Sequence, residues 1–233
     1  EDIESLEIKR YPDALKLVKR HNVFRTEVFK KGWFEVQDAS SQLVAAFLEV
    51  RPGMKVVDTC AGAGGKTLQL SALMQNKGSL IAMDIYESKL KKLKIRAKRN
   101  GVHNIDLRLI ESTKPIKKLK EKADRLLIDA PCSGLGVLRR NPDTKWKLQP
   151  DFFENIKKIQ QQLLQDYSKI LKPGGKMVYA TCSVLPSENQ DQIAAFLASE
   201  KGQAFRFVKD NSILAHQSGY DGFYMALLEK FIL

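Results

Sequence analysis

The ten residues from Asp58 to Thr67, DTCAGAGGKT, combine an acid, a cysteine, three glycines and a lysine. Small residues there let backbone approach a ligand closely. Spacing narrows the ligand. A triphosphate loop, G-x-x-x-x-G-K-[ST], requires glycine at position 60, which is Cys60. The dinucleotide fingerprint G-x-G-x-x-G, begun at Gly62 and Gly64, requires glycine at position 67, which is Thr67. What remains is a strand ending on Asp58, a tight turn, and a helix starting near Lys66 with its free N–H groups at the ligand side. Asp84 follows Gly64 by 20 residues, where a carboxylate can accept from two ribose hydroxyls. The pattern suits an adenosyl ligand without demanding a pyrophosphate; the alternative is an ordinary strand-to-helix turn. Two more stretches carry thiols. DAPCSGLG (129–136) offers Asp129, Cys132 and the loop Gly134-Leu135-Gly136, and ATCS (180–183) offers Cys182. One such cysteine is usually core filling. Two at the ends of neighbouring strands, over one crevice, are placed for nucleophilic chemistry, although spacing does not say which attacks.

These groups need a frame that brings strand ends together. The apolar runs MKVVD (54–58), LIAMD (80–84), IDLRLI (105–110), RLLID (125–129) and KMVYAT (176–181) predict buried parallel strands. Helical patterns lie between them at 66–76, 87–100, 114–122 and 151–171, the second closed by Asn100-Gly101 and the last by LKPGG. A helix over 187–199 and strands at 204–209 and 224–230 follow. The alternation predicts an α/β fold with a doubly wound, mostly parallel, seven-stranded sheet and a ligand crevice at the strands' carboxyl ends. Residues 1–36 fall outside it and are expected to end another module, with TEVFKKGWFEVQ (26–37) as its last strand; the catalytic domain is expected over 37–233.

Thirty-nine Lys and Arg against 27 Asp and Glu give a net charge of +12 over 233 residues. A globular chain this basic usually meets a polyanion, with nucleic acid the leading partner. No signal peptide and no apolar run long enough for a bilayer are found, so no membrane partner is expected. Three cysteines without a CxxC pair, and His21, His103 and His216 scattered singly, speak against a disulfide framework or a zinc site and for a reducing compartment such as the cytoplasm.

DTCAGAGGKT, DAPCSGLGVLRRNPD and TCS together resemble the motif set of the Sun/Fmu family of RNA cytosine-C5 methyltransferases, which use S-adenosylmethionine. QDASSQLVA (37–45) resembles the opening of that family's catalytic domain and DGFYMALLEK (221–230) its closing strand, so the likeness covers about 37–233 in the family's order. It implies a class I methyltransferase fold and makes residues 1–36 the end of an RNA-binding appendage. It also implies a thiolate that adds to C6 of cytosine, which activates C5 towards the methyl group. By resemblance Cys182 is the nucleophile, Cys132 assists product release and Asp129 holds N3 of the base; a thiol mostly protonated at neutral pH needs local activation, for which Lys66 and Asp129 are the nearest candidates. The cofactor's methionine end and ribose are implied to lie against Cys60, Ala61, Gly62, Ala63, Gly64, Gly65, Lys66 and Asp84, near Asp129. Glu111 stands where the family commonly has Asp beside the adenine, and Lys89 where it often has a basic residue.

Ribosomal RNA is the expected substrate, with transfer RNA behind it, and a monomer is expected. The loop LRRNPDTKWK (138–147) supplies Arg139, Arg140 and Lys145 as RNA contacts beside the target base. A structural alternative packs Trp146 into the core and has Asp143 cap the next helix. The helix YESKLKKLKIRAKRNG (86–101) carries seven basic residues, most simply a solvated face. Two other functions stay open: a DNA cytosine-C5 methyltransferase, whose nucleophile lies in a PC dipeptide, and a catalytically silent RNA-binding module on the same scaffold.

Overall fold

A computed structural model of the chain describes residues 3–232. It opens on an antiparallel pair, β1 (Ser5–Ile8) and β2 (Tyr11–Leu17), separate from the main sheet. Residues 26–37, expected as a strand, fold otherwise. Thr26 caps a one-turn helix, α1 (Glu27–Lys30), its hydroxyl oxygen accepting from Phe29 N–H at 3.2 Å. Gly32 at φ +76° ends the turn, and the following residues run irregularly to Asp38. The reason is visible in the pattern: Val28-Phe29 and Trp33-Phe34 are apolar doublets separated by Lys-Lys-Gly, not the period-two alternation of a strand. Phe24, Phe29 and Phe34 instead pack ring to ring, with centroids 5.1 and 5.5 Å apart.

From Ala39 the expected alternation holds. The helix α2 (Ala39–Phe47) leads into β3 (Lys55–Asp58), α3 (Gly65–Leu73), β4 (Ser79–Asp84), α4 (Glu87–Arg99), β5 (Ile105–Leu109), α5 (Lys114–Lys118) and β6 (Ala123–Asp129). After a short turn of helix, α6 (Thr144–Lys147), come α7 (Pro150–Tyr167), β7 (Leu171–Thr181), α8 (Gln190–Leu197), β8 (Phe205–Ile213), α9 (Ala215–Ser218) and β9 (Phe223–Lys230). The sheet runs β5-β4-β3-β6-β7-β9-β8; β9 is antiparallel to both its neighbours and the other pairings are parallel. The α/β, doubly wound class is the observed one. Chain order reverses between β3 and β6, and such a switch point opens a crevice at the strand ends. LKPGG, expected to close the long helix, belongs to β7, where pairing with β6 slips from Ala123–Leu171 to Arg125–Lys176.

The central strands read as continuous apolar runs because both sheet faces are covered. Val56, Val57, Leu80, Leu126, Leu127, Met177 and Val178 have no measurable exposure. The stripe Leu90, Leu93 and Ala97 turns α4 inward. Lys89, Lys91, Lys92, Lys94 and Lys98 are exposed, as a solvated face requires, while Arg96, Arg99 and Asn100 converge on Glu35. Arg99 also lies 3.8 Å from the Phe29 ring centroid, a cation–π contact. Burial alone would push the Glu35 carboxyl up, but the hydrogen bonds from Arg96 and Asn100 hold it below its ordinary value. Glu35→Ala is therefore expected to cost about 2 kcal/mol of unfolding free energy in urea at neutral pH. A loss under about 0.5 kcal/mol would mean that the aromatic cluster alone docks the segment.

Candidate active site

At the end of β3 the Asp58 carboxylate is buried, accepting from the Thr67 hydroxyl at 2.7 Å and Cys60 N–H at 3.4 Å. Burial pushes its pKa up to about 7, against the lowering effect of the Thr67 bond. The turn that follows uses Gly62 at φ +56° and Gly64 at φ +93°. A Cβ on Gly64 would meet Leu93 Cδ1 at 2.0 Å, so the glycine lets α3 and α4 pack. Gly62 N–H donates to Asp84 Oδ2 at 2.8 Å, and Tyr86 N–H to Asp84 Oδ1 at 2.9 Å. Asp84 is thus fixed at the end of β4 against the glycine turn, as its spacing predicts.

Between these groups lies a cavity of about 300 Å³. Cys60, Gly62, Asp84 and Asp129 line its polar side, and Ile85, Tyr86, Pro131, Ile159, Leu163 and Tyr167 its apolar side. A lining of both polar and apolar groups suits a nucleoside with a charged tail. Lys89 also lines it, its Nζ 4.5 Å from the Tyr86 ring centroid. The remaining expected cofactor residues are placed differently. Ala61 is buried and donates its N–H to Met83 O; Ala63 O accepts from Arg96 Nη1 at 2.7 Å; Gly65 borders a separate cavity of about 500 Å³ with Gln37 and Trp33. Glu111 is exposed beyond β5 and lines none of these walls. Sequence reading missed the apolar wall. Ile85 and Tyr86 directly follow Asp84 and could have been found by that position, whereas Ile159 comes from α7 and gave no signal.

The two thiols converge. Cys132 Sγ and Cys182 Sγ are 3.3 Å apart, one from the loop after β6 and the other from the end of β7. Beside them Lys66 Nζ pairs with Asp129 Oδ2 at 2.8 Å, and the ammonium lies 5.1 Å from the Phe223 ring centroid. Burial alone would push the Lys66 ammonium down, yet Asp129 holds it above its ordinary value. The bond between the thiols lowers the Cys182 pKa, with help from Lys66 and against burial and Asp129, while Cys132 rises. Burial and nearby carboxylates push Cys60 far up, so the third thiol stays protonated.

The glycine loop that carries Cys132 is laid across β7. Gly136 N–H donates to Cys182 O at 2.8 Å, and Gly222 N–H to Gly136 O at 2.7 Å. A Cβ on Gly136 would stand 2.1 Å from Gly222 O and 2.7 Å from Cys182 O, so no other residue fits that crossing without moving a cysteine. Arg139 and Arg140 reach back to the fold: Arg140 pairs with buried Asp221 at 2.5 Å, and Arg139 donates to Gly219 O at 2.6 Å, near Asp38. About half of each arginine remains exposed. Lys145 Nζ lies 4.7 Å from the Trp146 ring centroid. Trp146 is 77% exposed, so it is not a core residue as the structural alternative required. Asp143 precedes α6 without a capping hydrogen bond, because its own backbone is already helical. The residue most completely missed is Glu188, a fully buried carboxylate between the two cysteine loops.

The family model described as 16S rRNA methyltransferase RsmB/F matches residues 45–229. Ribosomal RNA small subunit methyltransferase B of Yersinia enterocolitica is 38% identical over 98% of this chain and 54% of its own length. The chain spans about half the length of the curated relatives it matches. Two crystal structures share the fold closely. A methyltransferase homolog protein from Pyrococcus horikoshii has a TM-score of 0.85 at 26% identity, covering 99% of this chain and 79% of that one. NSun6 from the same organism, solved with SFG, has a TM-score of 0.83 at 27% identity, covering 94% and 60%. With the match spanning most of its length and both thiol loops inside it, the chain belongs to the 16S rRNA methyltransferase RsmB/F family.

Proposed function

We propose that this chain is the catalytic part of an S-adenosylmethionine-dependent enzyme that methylates C5 of a cytosine in RNA, ribosomal RNA first and transfer RNA second. The observation that carries the reading is the thiol pair, 3.3 Å apart, beside the Lys66–Asp129 pair, whose carboxylate also lines the cavity of about 300 Å³. In this reading residues 37–233 form the catalytic domain and residues 1–36 end an RNA-binding appendage. Among the described residues no helix is long and apolar enough to cross a membrane, and the net charge of +12 favours an RNA partner.

Asp84, the Gly62 turn and the Ile85-Tyr86 wall would hold the cofactor, with Lys89 at its edge. When bound, S-adenosylmethionine supplies the electrophilic methyl group. The Cys182 thiolate adds to C6 of the cytosine and its electron pair loads C5, which is otherwise too weak a nucleophile. In this reading Asp129, bonded to Lys66, holds N3 of the base as negative charge develops there. Once C5 carries the methyl group, a base removes its proton, the electron pair returns to the ring, and the Cys182–C6 bond breaks. Cys132, protonated and within hydrogen-bond reach, returns a proton to the leaving sulfur. A base inside a duplex would have to be extruded to reach Cys182, which favours a loop as substrate.

Trapping tests this reading. The protein is expressed in cells as wild type, Cys132→Ser and Cys182→Ser, purified under denaturing conditions, and assayed for covalently bound nucleic acid. RNA on Cys132→Ser alone is expected, and sequencing it would name the substrate. DNA, or an adduct that requires Cys132, would favour the DNA enzyme; no adduct on any variant of the full-length relative would leave a silent scaffold.

A further inference from the structure

Ser133 and Ser183, each one residue past a cysteine, meet on a single carboxylate. Glu188 Oε1 accepts from Ser133 Oγ at 2.5 Å and Ser183 Oγ at 2.6 Å, and Oε2 accepts from Ser133 N–H at 2.8 Å and Gln160 Nε2 at 3.0 Å. The same Gln160 amide donates to Pro131 O at 3.0 Å. Asn189, the next residue, donates to Ser183 O at 3.0 Å and accepts from the Thr181 hydroxyl at 2.6 Å. The Tyr179 hydroxyl fixes the Glu188 carbonyl at 2.8 Å. Ser133, Thr181 and Ser183 are therefore tied directly to one dipeptide, and Pro131 is tied to it through Gln160. Glu188 has no exposed surface, and none of these four donors is a cation.

A buried carboxylate is costly unless its lone pairs are filled, and hydrogen bonds to the charged form are what keep it ionised. Four donors fill it here, and no cation stands among them. Its position is not symmetric between the thiols. The titratable groups around the pair are Lys66 on α3, Asp129 at the end of β6, Tyr179 on β7 and Glu188. Asp129 and its partner Lys66 both act on Cys182, whereas Glu188 acts on Cys132 and is bonded on both its oxygens to Ser133 but on only one to Ser183. Lys66 and Asp129 compensate each other at 2.8 Å on the Cys182 side, whereas the Glu188 carboxylate on the Cys132 side has no cation among its donors, and that difference favours the shared proton on Cys132. We propose that Glu188 is a positioning residue that holds the two thiols at hydrogen-bond distance and keeps the shared proton on Cys132, leaving Cys182 as the thiolate. The directions of titration agree: Cys132 is held up by its bond to Cys182, by burial and, further down, by Glu188.

The use of this asymmetry rests on the methyl-transfer reading, but its existence can be tested without RNA. Intact protein is alkylated with iodoacetamide between about pH 5 and about pH 9, and each cysteine peptide is followed by mass spectrometry. In the wild type Cys182 is expected to react first, with the lower midpoint. Glu188→Gln, which keeps the shape and removes the charge, is expected to bring the two midpoints together and cut the preference for Cys182 about tenfold at neutral pH. Should Glu188→Gln fail to fold, Ser183→Ala, which removes one donor and weakens the anion, is expected to cut it about threefold in the same direction. Unchanged midpoints in the folded variant, even with both thiols uniformly more reactive, would overturn the proposal and leave Glu188 a structural residue. Such a result would not touch the trapping experiment, nor would a failure to trap RNA alter the thiol midpoints.

Discussion

Cys182→Ser is expected to lower single-turnover methylation of the RNA substrate by at least about a thousandfold, since losing a covalent nucleophile removes the whole route and not one of its supports. The serine hydroxyl cannot replace the thiolate, because nothing near it is basic enough to ionise an alcohol; its neighbours are a thiol, a protonated amine and that amine's carboxylate. Folding should be nearly unaffected. Cys182 is not fully buried, its carbonyl bond to Gly136 N–H is made by the backbone, and serine preserves the volume. The measurement is methyl incorporation at saturating RNA and cofactor, with the melting temperature read alongside. A rate within about tenfold of wild type would show that the reaction needs no covalent step through Cys182, and Cys132 would then have to be tested as nucleophile.

How much of this site could be read in advance depended on how far each contact reaches along the chain. Asp58, Asp84 and Asp129 each end an apolar run, and a strand end is a local signal that also fixes position in a doubly wound sheet. The glycine turn was equally local, and Gly64 and Gly62 have the positive φ that the motif implies. That both cysteines share a crevice followed from topology, since β6 and β7 are neighbours; that they touch did not. Contacts between distant segments left no local mark. Glu35 reads as one acid among basic and aromatic residues until α4, some 61 to 65 residues later, brings it two arginines and an asparagine. Glu188 sits in PSENQ, which reads as a polar loop before a helix, and only the fold buries it under two serines 5 and 55 residues away. The expected strand at 26–37 fails for a local reason: its apolar residues come as doublets and not in the period-two alternation of a strand.

Lys66→Met should move the acid limb of the single-turnover rate profile upward by at least about one pH unit, a loss of about tenfold near neutrality that is recovered at higher pH. The sign follows from the charges around Cys182. Its pKa is lowered first by the bond from Cys132; burial and Asp129 raise it, and Lys66 lowers it. Methionine removes the cation and also frees Asp129 from its partner at 2.8 Å, so a carboxylate that was neutralised now faces the thiolate. Both changes disfavour the anion, so a higher pH is needed to reach the same thiolate fraction. Lys66→Arg keeps the charge and should keep the midpoint, although its planar fork fits this partly buried place less well than the ammonium. The contrast separates tuning from cofactor binding. If Lys66 served only to hold the cofactor, both variants would raise the cofactor KM and leave the midpoint unchanged; a midpoint that moves in methionine and stays in arginine assigns the lysine to the thiolate.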